Sequence, residues 1–309
     1  MLSLVIPVYN NEANLPRLFE AIATLSSSLD APLEVVFVID GATDQSSARI
    51  AAEVRGWTRP YQHIQLSRNF GSFAAIAAGL RHARGTHMAV MAADLQEPPS
   101  LVLDFHRRLS SGEVDIVMGQ RADRADGVAT GAVSRLFWAM YRRYVIPGLP
   151  PGGVDIFGCT AAVRDRLVEL PEHSTNLVAL LFWLGFRREF VKYDRQARQE
   201  GRSGWTLGRK VRYALDSVFN FTDLPVRALL WLGLLGTTLA VVAGVTVVVG
   251  YLLGRIPVLG YTPLMLVVTF FGGLTALGLG IVGQYLWLTL QNARRRPNYL
   301  VRTVDKNSS

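Results

Sequence analysis

From Ala228 to Gly254 the chain carries no charged residue, and beyond Arg255 it carries none again from Ile256 to Ala293. Each run exceeds the roughly 20 residues that cross the hydrocarbon core of a bilayer as a helix. Two transmembrane helices are predicted, over residues 226–253 and 263–291, with a short link through Arg255 and Pro257. Such a hairpin returns the chain to the side it left. Arg227 before the first run and Arg294, Arg295 and Arg296 after the second outweigh the lone Arg255 between them, so the positive-inside bias puts both ends in the cytoplasm.

Residues 1–205 have the composition of a globular domain. Leu2–Val8, Leu33–Ile39, His63–Leu66 and His87–Ala92 read as apolar strands. Helical patterns lie between them, and a further helix starts at Ser100, the expected N-cap. Apolar strands alternating with helices argue an α/β fold with a mostly parallel, Rossmann-like sheet covered on both faces. Further strands are expected at Asp115–Met118, Val154–Thr160 and, at an edge, Phe186–Tyr193, with an amphipathic helix over Val133–Tyr144. Leu207, Val211, Leu215, Val218 and Phe219 against Arg209, Lys210 and Arg212 describe an amphipathic helix within 206–225, placed to lie in a membrane interface. Residues 292–309 read as a basic cytoplasmic tail.

Several function classes fall away. The formal net charge is +8, but the basic residues crowd between Arg187 and Arg212, just ahead of the first apolar run, which favours an anionic membrane surface over nucleic acid. The single cysteine, Cys159, excludes an internal disulfide and fits a reducing compartment. Met1–Pro7 lacks a basic leader and reads as a strand, not a signal peptide. Gly278, Gly280 and Gly283 match a dinucleotide fingerprint but lie inside the second apolar run, where small residues serve helix packing. The histidines show no zinc spacing, and no G-x-S-x-G is present.

Chemistry gathers instead in loops at strand ends: Tyr9-Asn10-Asn11-Glu12, Asp40-Gly41, and Asp94 with Gln96 between an apolar strand and Pro98-Pro99. In open α/β sheets ligands bind at the carboxyl ends of the strands. Carboxylates there call for the donors of a base and ribose, or for Mg²⁺ or Mn²⁺ on a diphosphate, which arginines such as Arg121, Arg124 and Arg135 would also neutralise. Asp155, among apolar neighbours, either caps a turn or faces the same cleft.

The chain resembles the family 2 glycosyltransferases, inverting GT-A enzymes, and within them the polyprenyl-phosphate sugar transferases. Ser3-Leu4-Val5-Ile6-Pro7-Val8-Tyr9-Asn10 matches their opening strand; Val38-Ile39-Asp40-Gly41-Ala42-Thr43-Asp44 is similar to V-D-D-G-S-T-D. Leu66-Ser67-Arg68-Asn69-Phe70-Gly71 matches L-S-R-N-F-G, and Ala93-Asp94-Leu95-Gln96-Glu97-Pro98-Pro99 is similar to the end of D-A-D-L-Q-D-P-P. Arg198 to Trp205 resembles R-x-x-G-E-S-K-Y. Four charged positions of the pattern are absent: Asn11, Ile39, Ala92 and Gly204 stand in their places.

The resemblance implies a nucleotide site built from Pro7, Tyr9, Asp40, Arg68, Asp94, Gln96, Arg121 and Arg135, with Mg²⁺ or Mn²⁺ on Asp94. It implies catalytic roles for Asp94, Asp155, Arg198 and Arg202, the last supplying the charge that Gly204 does not. The expected partners are a nucleotide-sugar donor, with UDP preferred, and a polyprenyl phosphate, with undecaprenyl phosphate preferred, in a bacterial inner membrane. A processive polysaccharide synthase would carry Q-x-x-R-W, which is absent. The alternative from another class is a catalytically silent scaffold that binds nucleotide or lipid phosphate. Small residues such as Ala240 with Gly244 and Ala276 with Gly280 leave contact between protomers open.

Overall fold

The Tyr9-Asn10 and Asp40-Gly41 pairs bound two apolar runs that can hydrogen-bond side by side, and in the computed structural model they do. β1 (Leu2–Val8) and β2 (Leu33–Ile39) are parallel and in register from Leu2↔Leu33 to Val8↔Ile39. The structure describes residues 1–121, 139, 141–150, 153–170, 176–195, 218–219, 222, 224–253, 261–294 and 296–307. Two compact units emerge, one of residues 1–213 with 296–309 and one of residues 214–295.

The first unit is built on an eight-stranded sheet. Its other strands are β3 (Tyr61–Leu66), β4 (His87–Val90), β5 (Ile116–Arg121), β6 (Val154–Thr160), β7 (Arg188–Tyr193) and β8 (Val301–Lys306), in spatial order β7-β5-β6-β4-β1-β2-β3-β8. β1 to β4 are mutually parallel, β6 runs antiparallel to β4 and β5, and β7 is parallel to β5. The expected mostly parallel α/β sheet is therefore present, with mixed pairing in its second half. Asp155 lies in β6, so Val154–Thr160 is a strand as expected.

Helices α1 (Leu15–Ser28), α2 (Ser46–Val54), α3 (Ser72–His82), α4 (Ser100–Ser110), α5 (Ala161–Glu169) and α6 (Leu177–Trp183) accompany the sheet. Their apolar stripes seal the core: Leu15, Leu18, Ile22 and Leu25 of α1 are buried with Phe37 of β2, as are Leu101, Val102 and Phe105 of α4. At roughly 25 cal/mol per Å² of apolar surface, burial of such side chains is the main stabilising term. Near the start of β2 the buried Glu34 accepts hydrogen bonds from Ser3 (2.5 Å), Gln62 (2.9 Å) and the Arg84 backbone and guanidinium (2.8 and 2.7 Å). Burial would raise its pKa, but these donors outweigh it and hold the carboxyl below its ordinary value.

Two expectations are corrected. Ser100 is the first helical residue of α4 rather than its cap, because Pro99 already has helical angles (φ −57°, ψ −28°) and no side chain caps the end. Proline's fixed φ suits the first turn, so the helix begins one residue early. The tail after the second long helix is not simply a basic extension: β8 pairs antiparallel with β3 from Gln62↔Lys306 to Leu66↔Val301. Asn307 fastens its end, accepting from Tyr61 N–H (2.9 Å) and donating to the Arg59 carbonyl (2.9 Å).

Of the helix expected over Val133–Tyr144, residues from Tyr141 are described, apart from Ala139; they form a π-type turn over Tyr141–Val145, with Ile146 N–H donating to the Tyr141 carbonyl (3.0 Å). The interfacial helix expected over 206–225 lies largely outside the described residues.

The second unit holds two long helices, α7 (Leu224–Leu252) and α8 (Tyr261–Ala293). They pack antiparallel: a Cβ on Gly236 would meet the Phe271 ring at 3.1 Å, and one on Gly278 would meet Leu229 at 3.4 Å. Their other surfaces are apolar and open, with Trp231 70% and Leu279 68% exposed. Among the described residues one segment, Phe270–Leu290, is long and apolar enough to cross a membrane, and Pro225–Gly236 is a shorter apolar stretch.

Candidate active site

All the strands that carry candidate residues present them at one edge of the sheet. β1, β2, β3 and β4 end there, and so do β5 and β7; β6, running the other way, begins there with Asp155. The connection order reverses at β1, which has β2 on one side and β4 on the other. Such a switch point opens a crevice at the strand ends. Asp40 follows β2 and Asp94 follows β4, on either side of the exposed Tyr9 that follows β1. Two strand spacings, about 10 Å, separate their strands.

Asp40 organises the β3–α3 loop. Its Oδ1 accepts from Phe70 N–H (2.7 Å) and its Oδ2 from Gly71 N–H (2.9 Å), while the carboxylate is only 3% exposed. Burial raises its pKa against these two bonds and the nearby Arg68. Gly41 makes the fit: at φ +62° a Cβ would lie 2.3 Å from Asn69 N and 2.4 Å from the Arg68 carbonyl carbon. The Arg68 guanidinium stacks over the Phe70 ring at 4.0 Å. Glu12 has a different task from the one its position suggests. It pairs with Arg49 (2.7 Å) and accepts from Gln45 N–H (3.1 Å), bracing α2 rather than adding a carboxylate to the crevice.

The β4–α4 loop turns at Leu95, whose φ of +53° a branched side chain seldom adopts. A left-handed residue of this kind costs of order 1 kcal/mol and persists where the surroundings enforce it. Gln96 N–H reaches Asp94 Oδ1 at 3.4 Å, and Gln96 Oε1 accepts from Arg195 at 2.5 Å. The turn also buries Glu97, which is 3% exposed. Burial pushes its carboxyl up to about 7, with the charges of Asp155 and Asp94 adding and Arg195 opposing.

Asp155 is held by a fork. Arg121 donates through Nε and, at 2.5 Å, through Nη2, and the Tyr193 hydroxyl donates to Oδ2 at 2.7 Å. Burial alone would lower the pKa of Arg121, but Asp155 outweighs it and raises it; burial and Asp155 together raise that of Tyr193. Arg121 is thus committed to a carboxylate in this state, where the sequence suggested a diphosphate.

The structure brings Tyr9, Asp40, Arg68, Asp94, Gln96, Arg121 and Asp155 to one edge, with Pro7 inside β1 below them. Arg124, Arg135, Arg198 and Arg202 lie outside the described residues. Glu97, Tyr193 and Arg195 were not singled out as site residues. Glu97 stands in the quoted motif immediately before Pro98-Pro99, a signal that a charge is fixed at the loop's exit, while Tyr193 ends the edge strand and Arg195 follows two residues later.

The donor set fits a divalent cation. Asp94 supplies a carboxylate at the crevice, and Glu97 Oε2 is buried without a hydrogen-bond partner among the described residues. Among the described residues no three His, Cys, Asp or Glu side chains converge on a cation position. A cation here would therefore draw on one or two carboxylates and on oxygens of the substrate, the usual arrangement for Mg²⁺ with phosphates.

Comparison with known proteins fits this geometry. An uncharacterized glycosyltransferase of Synechocystis sp. is 29% identical over 300 residues, covering 97% of this chain and 94% of its own length. A prophage bactoprenol glucosyl transferase homolog of Escherichia coli is 26% identical over 309 residues, covering 99% of each. Glucosyl-3-phosphoglycerate synthase of Mycobacterium tuberculosis, solved with Mn²⁺, UDP and glucosyl-3-phosphoglycerate, shares the fold at a TM-score of 0.50 and 20% identity, over 72% of this chain and 80% of that one. The family model described as glycosyl transferase family 2 matches residues 3–170, more than half of the chain and all the strands from β1 to β6. The chain accordingly belongs to glycosyl transferase family 2.

Proposed function

We propose that this glycosyltransferase moves a sugar from a nucleotide-sugar, UDP-linked by preference, to a polyprenyl phosphate at the cytoplasmic face of a bacterial inner membrane, with inversion at the anomeric carbon. The observation that carries the reading is the gathering of Asp40, Asp94 and the Arg121–Asp155 pair on one sheet edge in a chain that also bears two long apolar helices. Full-length likeness to proteins named bactoprenol glucosyl transferases supports a polyprenyl acceptor.

In this reading the nucleoside lies over the ends of β1 and β2, beside Tyr9, Asp40 and the Arg68–Gly71 loop, and its diphosphate reaches toward Asp94. An oxygen of the lipid phosphate attacks the anomeric carbon from the face opposite the diphosphate. A carbon–oxygen bond forms to the acceptor, the bond to the diphosphate breaks, and the nucleoside diphosphate departs with the electron pair. A phosphate monoester loses its second proton near pH 6, so the nucleophile is largely anionic at neutral pH and little general-base help is needed. The protein chiefly positions the reactants and balances charge on the leaving group. Asp155, fixed by Arg121 and Tyr193, orients the sugar or acceptor; Arg198 and Arg202 are assigned to the phosphates by the motif they match. A divalent cation bound at Asp94 would supply positive charge to the diphosphate.

The helices α7 and α8 are read as a membrane hairpin. Their open apolar faces support this, as does the position of β8. Because β8 belongs to the same sheet as β1 to β7, the chain between Arg195 and Val301 has both ends on one side of any bilayer and crosses it an even number of times. The excess of arginines at the outer ends of the pair favours the cytoplasm for that side.

The test is incorporation of labelled sugar into lipid extract by the full chain in membranes or detergent, with undecaprenyl phosphate and a panel of nucleotide-sugars. One donor is expected to label the lipid, and Asp94→Ala to reduce the rate at least 100-fold. Binding of nucleotide without transfer from any donor would instead favour a silent scaffold and overturn the proposal.

A further inference from the structure

Ala92 stands where the family pattern puts the first carboxylate of D-x-D, so the backbone position that ordinarily supplies a second negative charge is empty of one. The same loop buries another carboxylate three residues beyond Asp94. Glu97 is 97% shielded from solvent (3% exposed), and its Oε2 has no hydrogen-bond partner among the described residues. Among the described residues, Arg195 lies at a loose 3.9 Å from its Oε1. A buried carboxyl oxygen without a donor is an unmet acceptor, and a cation placed beside it would satisfy it.

Its surroundings fit a cation. Glu97 lies within electrostatic reach of both Asp155 and Asp94, two further carboxylates. Among the described residues, Arg121 is forked onto Asp155, and Arg195 donates to Gln96 at 2.5 Å. A buried carboxylate oxygen with an unmet acceptor, at the edge where a diphosphate arrives, suits a hard divalent cation. The left-handed Leu95 is the backbone's contribution, because it folds the loop back at the position between Asp94 and Glu97.

We propose that Glu97 supplies the second carboxylate for the divalent cation held at Asp94, standing in for the one that Ala92 lacks. The inference rests on the donor and metal reading above and deepens it. Its experiment is Mn²⁺ binding by the full chain in detergent, followed by electron paramagnetic resonance with and without UDP, a readout independent of turnover. Glu97→Gln is expected to weaken Mn²⁺ at least 10-fold, Glu97→Asp to weaken it less, and Asp94→Ala to abolish binding. Adding Ala92→Asp to Glu97→Gln is expected to recover most of the lost affinity, which a purely structural role for Glu97 would not allow. Wild-type affinity in Glu97→Gln, with loss in Asp94→Ala, would overturn the inference and leave the metal reading standing. Absence of Mn²⁺ binding by the wild type in the presence of UDP would overturn both. Should Glu97→Gln fail to fold, Glu97→Asp decides alone, and unchanged affinity there counts against the inference.

Discussion

Arg121 grips Asp155 with two nitrogens of its guanidinium, joining the end of β5 to the start of the antiparallel β6. The pair sets the position of a carboxylate at the crevice, and Tyr193 from β7 adds a third donor. Asp155→Asn would keep the shape while removing the charge that Arg121 answers, and a fall in kcat of at least 100-fold is expected in the lipid-labelling assay. Tyr193→Phe removes one hydrogen bond worth about 1 kcal/mol. It is expected to cost about 5-fold in kcat with little change in donor KM. Equal damage from both variants would mean that the hydroxyl itself touches substrate.

Gly41 predicts a binding defect. A methyl group at this position meets backbone atoms of Arg68 and Asn69 at 2.3–2.4 Å, and the residue's φ of +62° adds strain. Gly41→Ala should displace the loop that Asp40 holds through Phe70 and Gly71. The expected result is a loss of UDP affinity of at least 10-fold by calorimetry, with a stability cost of about 1–3 kcal/mol.

The tail strand predicts a second route to the same loop. Ser67 N–H donates to the Leu300 carbonyl at 2.9 Å, where β8 starts and the Arg68–Gly71 loop begins. Thr303→Pro, opposite Gln65, removes a donor that faces β3 and cannot continue the pairing. A several-fold rise in donor KM with kcat within about two-fold is expected; an unchanged KM would show that the loop is set by Asp40 alone.

Glu34 tests the opposite end of the sheet, far from the chemistry. Glu34→Ala removes the acceptor of four hydrogen bonds and leaves Gln62 and Ser3 buried with fewer partners. A loss of about 3 kcal/mol is expected from the urea midpoint, with the UDP affinity of the remaining folded protein unchanged.

His87 and His106 give a pH dependence. Their Nδ1 atoms lie 3.4 Å apart. Burial lowers the pKa of each, assisted by the N-terminal ammonium; His106 further lowers that of His87, while Asp30 partly opposes the shift of His106. The folded protein therefore favours the neutral rings, and the unfolded chain takes up protons first as pH falls through about 6.5. Stability is full above that value and declines toward the lowered folded pKa values. His106→Asn should flatten the fall of the thermal midpoint between pH 7 and 5, and His63, also lowered by burial against Asp305, accounts for part of what remains.

Much of this was legible in the sequence because local signals agreed. β1 and β2 match the expected bounds to the residue, each being an apolar run closed by a residue that stops it. Asp40 and Asp94 were readable as loop carboxylates at strand ends. β8 was not, because an exposed edge strand needs no apolar face, and Arg302, Asp305 and Lys306 disguise it; its identity comes from pairing with β3 far upstream. The fork on Asp155 escaped for the same reason, since β5, β6 and β7 meet only through long-range pairing. Glu97 was visible as a letter, but its burial depends on the turn at Leu95, and nothing in the composition of the loop announces a leucine with positive φ.

The order of synthesis gives β8 one more consequence. It is made after both long apolar helices, so the outer edge of β3 has no antiparallel neighbour until both of them have been synthesised. An unpaired strand edge of this kind invites misassembly while it lasts. Completion of the sheet thereby waits on the whole length of α7 and α8, and a molecule stalled before that point would lack the strand that pairs with β3.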